Sequence, residues 1–277
     1  MILLRKRVST FRDHSLAQSV LITGASSGIG RGLAASYAAP GVRLALVGRN
    51  AGRLAETAAQ CEARGATVTC GMLDVRDREK LAAWIRAIDD ECPLDIAVAN
   101  AGMGGGLRFG RLFEDPAAVR AIIDTNLVGT INTLDPVAER MLMRGRGQIA
   151  VLGSFSAFRG LPYCPAYGAS KAAVHAYAEG LRGALARHGI RVTIIAPGFV
   201  ATAMTRNLVA PKPLLMSVER AVRVIRRGLD RGVPLIAFPR ILYLGTLLGR
   251  LVPSRWADRA LARIDVDVAD GGETASS

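Results

Sequence analysis

Lysine is nearly missing from this chain. Only Lys6, Lys80, Lys171 and Lys212 occur, although Lys and Arg together number 36 against 23 Asp and Glu, for a net charge of +13. The positive charge is therefore arginine. Such a balance suits nucleic acid or an anionic membrane surface, or it is a compositional bias spread over the surface without function. Aromatic residues make up only 5%. No basic stripe interleaved with stacking rings results, and no nucleic-acid motif appears, so a nucleic-acid partner is not expected. His14, His175 and His188 are scattered, and Cys61, Cys70, Cys92 and Cys164 lack metal-ligand spacing. No metal site is expected from them. No secretory leader is read ahead of the cysteines, which predicts reduced thiols in a cytoplasmic protein. Long apolar runs are absent too. The nearest, Leu235 to Val252, is broken by Pro239, Arg240 and Arg250, short of the ~18 residues that a spanning helix needs.

What remains is half hydrophobic over 277 residues, enough for one domain with a full core. Strand-like runs lie at Ser19–Thr23, Val42–Val47, Thr67–Met72, Ile96–Ala99, Gln148–Leu152, Arg191–Ile195 and Leu235–Phe238. Helix-length stretches separate them. The first, third and fifth runs are nearly all apolar, as strands buried on both faces are. This alternation predicts an α/β fold with a doubly wound parallel sheet. A basic extension covers residues 1–18, the nucleotide-binding catalytic domain 19–240, and a helical appendage with a polar, fraying tail 241–277.

The first run leads into Thr23-Gly24-Ala25-Ser26-Ser27-Gly28-Ile29-Gly30 and then a helical stretch. Glycines there allow a tight turn, and the new helix offers free N–H groups to a pyrophosphate. After the second run, where an acid would accept from a free ribose 2′-hydroxyl, the chain has Gly48-Arg49-Asn50. Arg49 suits a 2′-phosphate, which predicts a preference for NADP(H), with NAD(H) as the weaker partner. In Tyr167-Gly-Ala-Ser-Lys171 the phenol and ammonium lie one helical turn apart. A nearby cation pulls a phenol's pKa down, making it an acid near neutrality.

Together with Asp74-Val75, Asn100-Ala101-Gly102, Asn126, Ser154 and Pro197-Gly198-x-Val200-x-Thr202, these motifs resemble the compact branch of the short-chain dehydrogenase/reductases over roughly Ser19 to Thr202. The resemblance implies a Rossmann fold and a catalytic set of Asn126, Ser154, Tyr167 and Lys171. It implies cofactor contacts from Gly24, Ser26, Ser27, Gly28, Ile29, Gly30, Arg49, Asp74, Val75, Asn100, Ala101, Gly102, Tyr167, Lys171, Pro197, Gly198, Val200 and Thr202. By the same resemblance Asn126 holds a relay water, Ser154 (with Ser156 as rival) binds the substrate oxygen, and Lys171 lowers the Tyr167 pKa. Ala99 stands where many relatives carry a second Asn.

The implied reaction is reduction of a ketone or aldehyde, or its reverse. A hydrophobic or acyl-chain substrate is suggested by Met103, Leu107, Phe109, Phe199, Met204, Leu208, Leu214 and Met216 in the two loops expected to cover the site. A nucleotide-sugar epimerase or dehydratase, and a non-catalytic cofactor-binding or membrane-associated protein, are the alternatives. Family resemblance implies a homodimer or homotetramer through the small residues of the Tyr167 helix. The Arg-rich apolar segment Leu235–Ile264 either covers the cleft or a subunit contact, or touches the inner membrane face peripherally.

Overall fold

The computed structural model describes residues 18–108, 110–206, 208–209, 211–261 and 267–268. Strands and helices alternate as β1 (Ser19–Thr23), α1 (Gly28–Tyr37), β2 (Arg43–Gly48), α2 (Ala51–Glu62), β3 (Thr67–Met72), α3 (Arg78–Glu91) and β4 (Ile96–Ala99). Then come α4 (Pro116–Ile123), a π-helical turn (Asp124–Val128), α5 (Gly129–Arg144), β5 (Gly147–Leu152), α6 (Pro165–Leu185) and β6 (Ile190–Pro197). The chain continues through α7 (Ala203–Arg206), β7 (Leu208–Val209), α8 (Val218–Asp230), β8 (Leu235–Phe238), α9 (Arg240–Gly249), α10 (Ser254–Leu261) and β9 (Asp267–Val268).

Seven strands form a parallel sheet in the order β3-β2-β1-β4-β5-β6-β8. Side chains alternate across it, as a period of two requires. Val20, Ile22, Leu44, Leu46, Ile96 and Val98 join one core with α1 and α8. Leu21, Ala45, Val47, Ala97 and Ala99 join the other with α3, α5 and α6. Helix starts are set locally: Asn50, Asp77, Asp115 and Ser217 each accept a first-turn backbone N–H, which satisfies donors that a helix cannot pair itself.

The third run departs from expectation. β3 is the sheet edge, and its residues are mostly exposed, so its apolar composition did not mean burial on both faces. The polar tail also departs in part: Asp267–Val268 pairs antiparallel with Leu208–Val209 instead of fraying. Residues 1–17 of the basic extension lie outside the described residues, as does Phe109.

The sheet order reverses between β1 and β4. In a doubly wound sheet that switch point opens a crevice at the carboxyl ends of the strands. Thr23 and Asn100 stitch it: the Thr23 hydroxyl accepts from Asn100 N and Ala101 N, both at 3.1 Å, and Asn100 Nδ2 donates to the Thr23 carbonyl at 2.9 Å and the Gly24 carbonyl at 3.2 Å.

Candidate active site

The glycine turn sits directly over that crevice. Gly24 and Gly28 have φ of 66° and 53°, in the left-handed region that other residues avoid. A Cβ on Gly24 would lie 2.8 Å from Ala101 Cα, and one on Gly30 would lie 2.3 Å from the Gly24 carbonyl oxygen. Both positions therefore keep the turn open and the helix close. Ser27 starts α1 without a side-chain cap, and no acid occupies the first turn. The helix end keeps its partial positive charge. Across the turn, a Cβ on Gly28 would meet Thr202 Cγ2 at 3.1 Å. This cradle of bare backbone and an uncapped helix start fits the pyrophosphate of a dinucleotide.

Not every expected cofactor residue offers its side chain. Ile29, Val75 and Val200 are buried in the core; Val200 forms a parallel bridge with Met216, and Asn132 Nδ2 holds the Val75 carbonyl at 3.0 Å. Asn100 spends its amide donors on the turn, so it shapes the cradle. Ser26 lies against Gly48 at the end of β2. Pro197 ends β6, and the Gly198 N–H donates to the Phe238 carbonyl at 2.8 Å. Thr202 Oγ1 is shared with Thr205, accepting from its N–H at 3.3 Å.

At the adenosine end, Asp74 is gripped by Arg76, whose Nε and Nη2 reach its oxygens at 3.0 and 2.6 Å. Burial pushes the Asp74 pKa up, but the Arg76 hydrogen bonds outweigh it and hold the carboxyl below its ordinary range. Arg49 Nη1 stands 3.8 Å from the same carboxylate, with its side chain 59% exposed. Sequence reasoning missed Arg76; its signal was the Asp-x-Arg spacing just after β3.

The expected catalytic residues converge where β5, α6 and the π-helical turn meet. Asn126 lies in that turn and is fully buried. An extra residue in a helical turn often marks a functional position. Its Oδ1 accepts from Met103 N at 2.8 Å, and its Nδ2 donates to the Met103 carbonyl and to Ser170 Oγ, both at 3.0 Å. The amide thus fastens the substrate loop to α6. Both side-chain donors are engaged within the protein, and its backbone carbonyl accepts from Thr130 Oγ1 at 2.6 Å. Gly102 keeps the space between them open: a Cβ there would lie 3.1 Å from Asn126 Oδ1 and 3.5 Å from Lys171 Nζ.

Ser154 follows β5. Its hydroxyl lies 2.7 Å from Ser156 Oγ, and it stands close enough to Tyr167 to favour the ionised phenol. Ser154 is the serine beside the phenol, and its Oγ is shared with Ser156. Lys171 is buried, donates to the Leu152 carbonyl at 2.8 Å, and lies 5.9 Å from the Tyr167 ring centre.

The expected acidification of Tyr167 is not what this arrangement gives. Burial raises the phenol's pKa, and Ser154 beside it only partly offsets the rise. The same burial pulls Lys171 down to about 8. A site that excludes water penalises phenolate and ammonium alike. His175, one of the three scattered histidines, is buried, and its Nε2 accepts from Ser154 N at 3.3 Å. Burial first, and Lys171 second, lower its pKa to about 4, so it stays a neutral acceptor.

Of the apolar loop candidates, Met216 belongs to the core and not to a substrate wall. Met204 meets Gly104, where a Cβ would lie 2.9 Å from its Cγ, so the two loops touch. Leu214 has φ of 56° and is 54% exposed, an uncommon strained conformation for a non-glycine residue. A concavity of about 610 Å³ lies beside Ser156, Gly160, Leu161, Pro165 and Ala169; none of the four expected catalytic side chains lines it.

Residues 18–213 match the family model of the short chain dehydrogenases. The chain belongs to that family. An uncharacterized oxidoreductase of Myxococcus xanthus is 40% identical over 248 residues, covering 89% of this chain and 97% of that one. A short-chain dehydrogenase of Sphingobium yanoikuyae, solved in complex with NADPH, superposes with a TM-score of 0.72 at 29% identity, over 84% of this chain and 94% of that one. A bulky-bulky ketone specific alcohol dehydrogenase of Comamonas testosteroni gives 0.70 at 28% identity, over 89% and 92%. This short-chain dehydrogenase is therefore an NAD(P)-dependent oxidoreductase acting between CH–OH and C=O. Membership of this family removes the non-catalytic alternative.

Proposed function

We propose that this short-chain dehydrogenase is an NADPH-dependent carbonyl reductase acting on a hydrophobic ketone or aldehyde. The observation that carries this is the Ser154–Tyr167 hydroxyl pair, set beside buried Lys171 at the switch-point end of the sheet. Bound nicotinamide supplies the hydride. Burial keeps the Tyr167 phenol protonated, so it holds a proton for the carbonyl oxygen. Ser154 directs its hydroxyl at the same oxygen, where negative charge grows. His175 holds the Ser154 backbone, Lys171 braces the end of β5 through Leu152, and Asn126 fixes the loop over the substrate. The glycine spacing disfavours the epimerase or dehydratase alternative.

The NADPH preference rests on Arg49. Its side chain is 59% exposed, and Arg76 neutralises the nearby Asp74, so no uncompensated carboxylate repels a 2′-phosphate. The hydrophobic substrate rests on Leu107, Phe199, Met204 and Leu214, and on the ketone preference named for the Comamonas enzyme. Long acyl ketones belong to this class.

NADPH oxidation against carbonyls of graded chain length and polarity tests the proposal. The expected result is turnover favouring apolar ketones, abolished by Tyr167→Phe and shifted toward NADH by Arg49→Asp. Unchanged turnover in Tyr167→Phe would overturn it. We place the enzyme in the cytoplasm, in keeping with four free cysteines. Its subunits pair through the exposed stripe of Ala169, Ala172, Ala176 and Gly180 on α6; a monomer in light scattering would count against that pairing.

A further inference from the structure

α9 divides its apolar residues between two faces. Leu242 and Tyr243 turn inward: Leu242 approaches Gly198, and the Tyr243 ring lies 5.3 Å from Phe158 and 6.1 Å from Phe155. Ile241, Leu244 and Leu248 turn outward, 71%, 58% and 66% exposed. Their spacing makes one stripe along the helix. The stripe runs on into Leu251, Val252 and Trp256, exposed at 81%, 43% and 55%. Contiguous large apolar side chains on a soluble surface mark a contact site.

Arginine brackets this stripe. Arg240 opens α9, Arg250 follows it, and Arg255 and Arg259 stand on α10 with their guanidinium carbons 5.9 and 5.8 Å from the Trp256 ring centre. The acid in the segment is Asp258, already engaged by Arg159 at 3.8 Å. Arg159 also donates to the Gly249 carbonyl at 2.9 Å. One side chain thus fastens both helices to the loop that follows β5. A second exposed apolar tip, Leu112 and Phe113 next to Arg111, follows β4 at the same carboxyl end of the sheet.

We propose that the α9–α10 face is a docking surface for an anionic lipid bilayer. The leucine stripe enters the boundary between headgroups and acyl chains. The flanking arginines bind lipid phosphates, which their planar donors match in pairs. No described helix is long and apolar enough to cross a membrane, so the helices lie in the interface plane. Charge selects this occupant over a second copy of the chain. A two-fold contact through this face would bring the arginines of both copies together, with the one local acid already paired.

This surface does not depend on the proposed reaction, and vesicle flotation of the full chain tests it without turnover. The protein is expected to float at low salt with phosphatidylcholine–phosphatidylglycerol vesicles and not with phosphatidylcholine alone. Added salt weakens the binding. Leu244→Asp with Leu248→Asp abolishes flotation, while melting temperature and turnover of a soluble ketone stay unchanged. Arg255→Ala with Arg259→Ala weakens it about 25-fold, at about fivefold per arginine. These arginines are exposed, so they decide the matter should the leucine pair disturb folding. Trp256 emission shifts to the blue on binding, and the shift disappears in Trp256→Phe. No flotation at low salt, equal flotation on neutral vesicles, or variants that float like wild type would each overturn the proposal. So would a fall in oligomer mass for the leucine variant, which assigns the face to subunit contact.

Discussion

Replacing Lys171 by Met tests how the site handles a buried charge. The side chain is 4% exposed, and burial lowers its pKa from 10.5 to about 8. The unfolded chain keeps the ordinary value and binds more protons than the folded one between these two pH values. Wild-type stability therefore rises with pH across that window, and below it the folded state carries the full penalty. At 1.36 kcal/mol per unit, that penalty is on the order of 3 kcal/mol. Against it stands the ammonium's bond to the Leu152 carbonyl at 2.8 Å, about 1.5–3 kcal/mol for a charged donor. Met keeps the length of the stem and removes the charge. At pH 7 the variant is expected to be as stable as wild type or up to about 2 kcal/mol more stable. By pH 10 wild type has shed most of its penalty, and the difference swings in its favour by about 2–3 kcal/mol. The swing amounts to on the order of 5–10 °C in melting temperature. Scanning calorimetry of both proteins from pH 7 to 10 reads it directly, because their other groups cancel in the difference. Turnover is lost at every pH. A melting difference that stays flat with pH would refute the burial argument.

Three further outcomes follow from the same geometry. Asn126→Ala strips the partners from the Met103 N–H and carbonyl and from Ser170; urea titration is expected to show a loss of about 1–3 kcal/mol, with turnover falling more than cofactor affinity. Gly30→Ala would put a Cβ 2.3 Å from the Gly24 carbonyl oxygen, and calorimetric titration with NADPH should show affinity reduced by about tenfold or more, with about 1–3 kcal/mol lost from overpacking. His175 has a folded pKa of about 4, below its ordinary 6.5, so wild type loses stability as pH falls through that window. His175→Gln does not titrate, and its melting temperature relative to wild type should rise as the pH drops from 6.5 to 4.

Much of the fold was legible because it is written in short-range patterns. Each of the seven sheet strands lies within a residue or two of an apolar run, and several helices begin at a residue whose side chain caps them. Burial was not legible in the same way. Thr67–Met72 and Ser19–Thr23 both read as apolar strands, yet the first is an exposed edge and the second lies buried inside the sheet. Position in the sheet depends on where the chain crosses over, which no window of a few residues contains. The same holds for Met216, an apolar loop residue that the bridge to Val200 draws into the core. Arg76 escaped notice because its partner, Asp74, had been assigned to a ligand.

The order of residues along the chain determined the family and the parallel sheet, since helical and strand periodicities and glycine spacing are local properties of a polymer. The electrical state of the ionisable side chains came only with folding. Tyr167 is held neutral, Lys171 is brought near deprotonation and His175 is locked as an acceptor by exclusion of water and by neighbours from β5, α6 and the π-helical turn. Solvation and through-space contact arise when distant segments close on one another, and spacing along a sequence carries no measure of either.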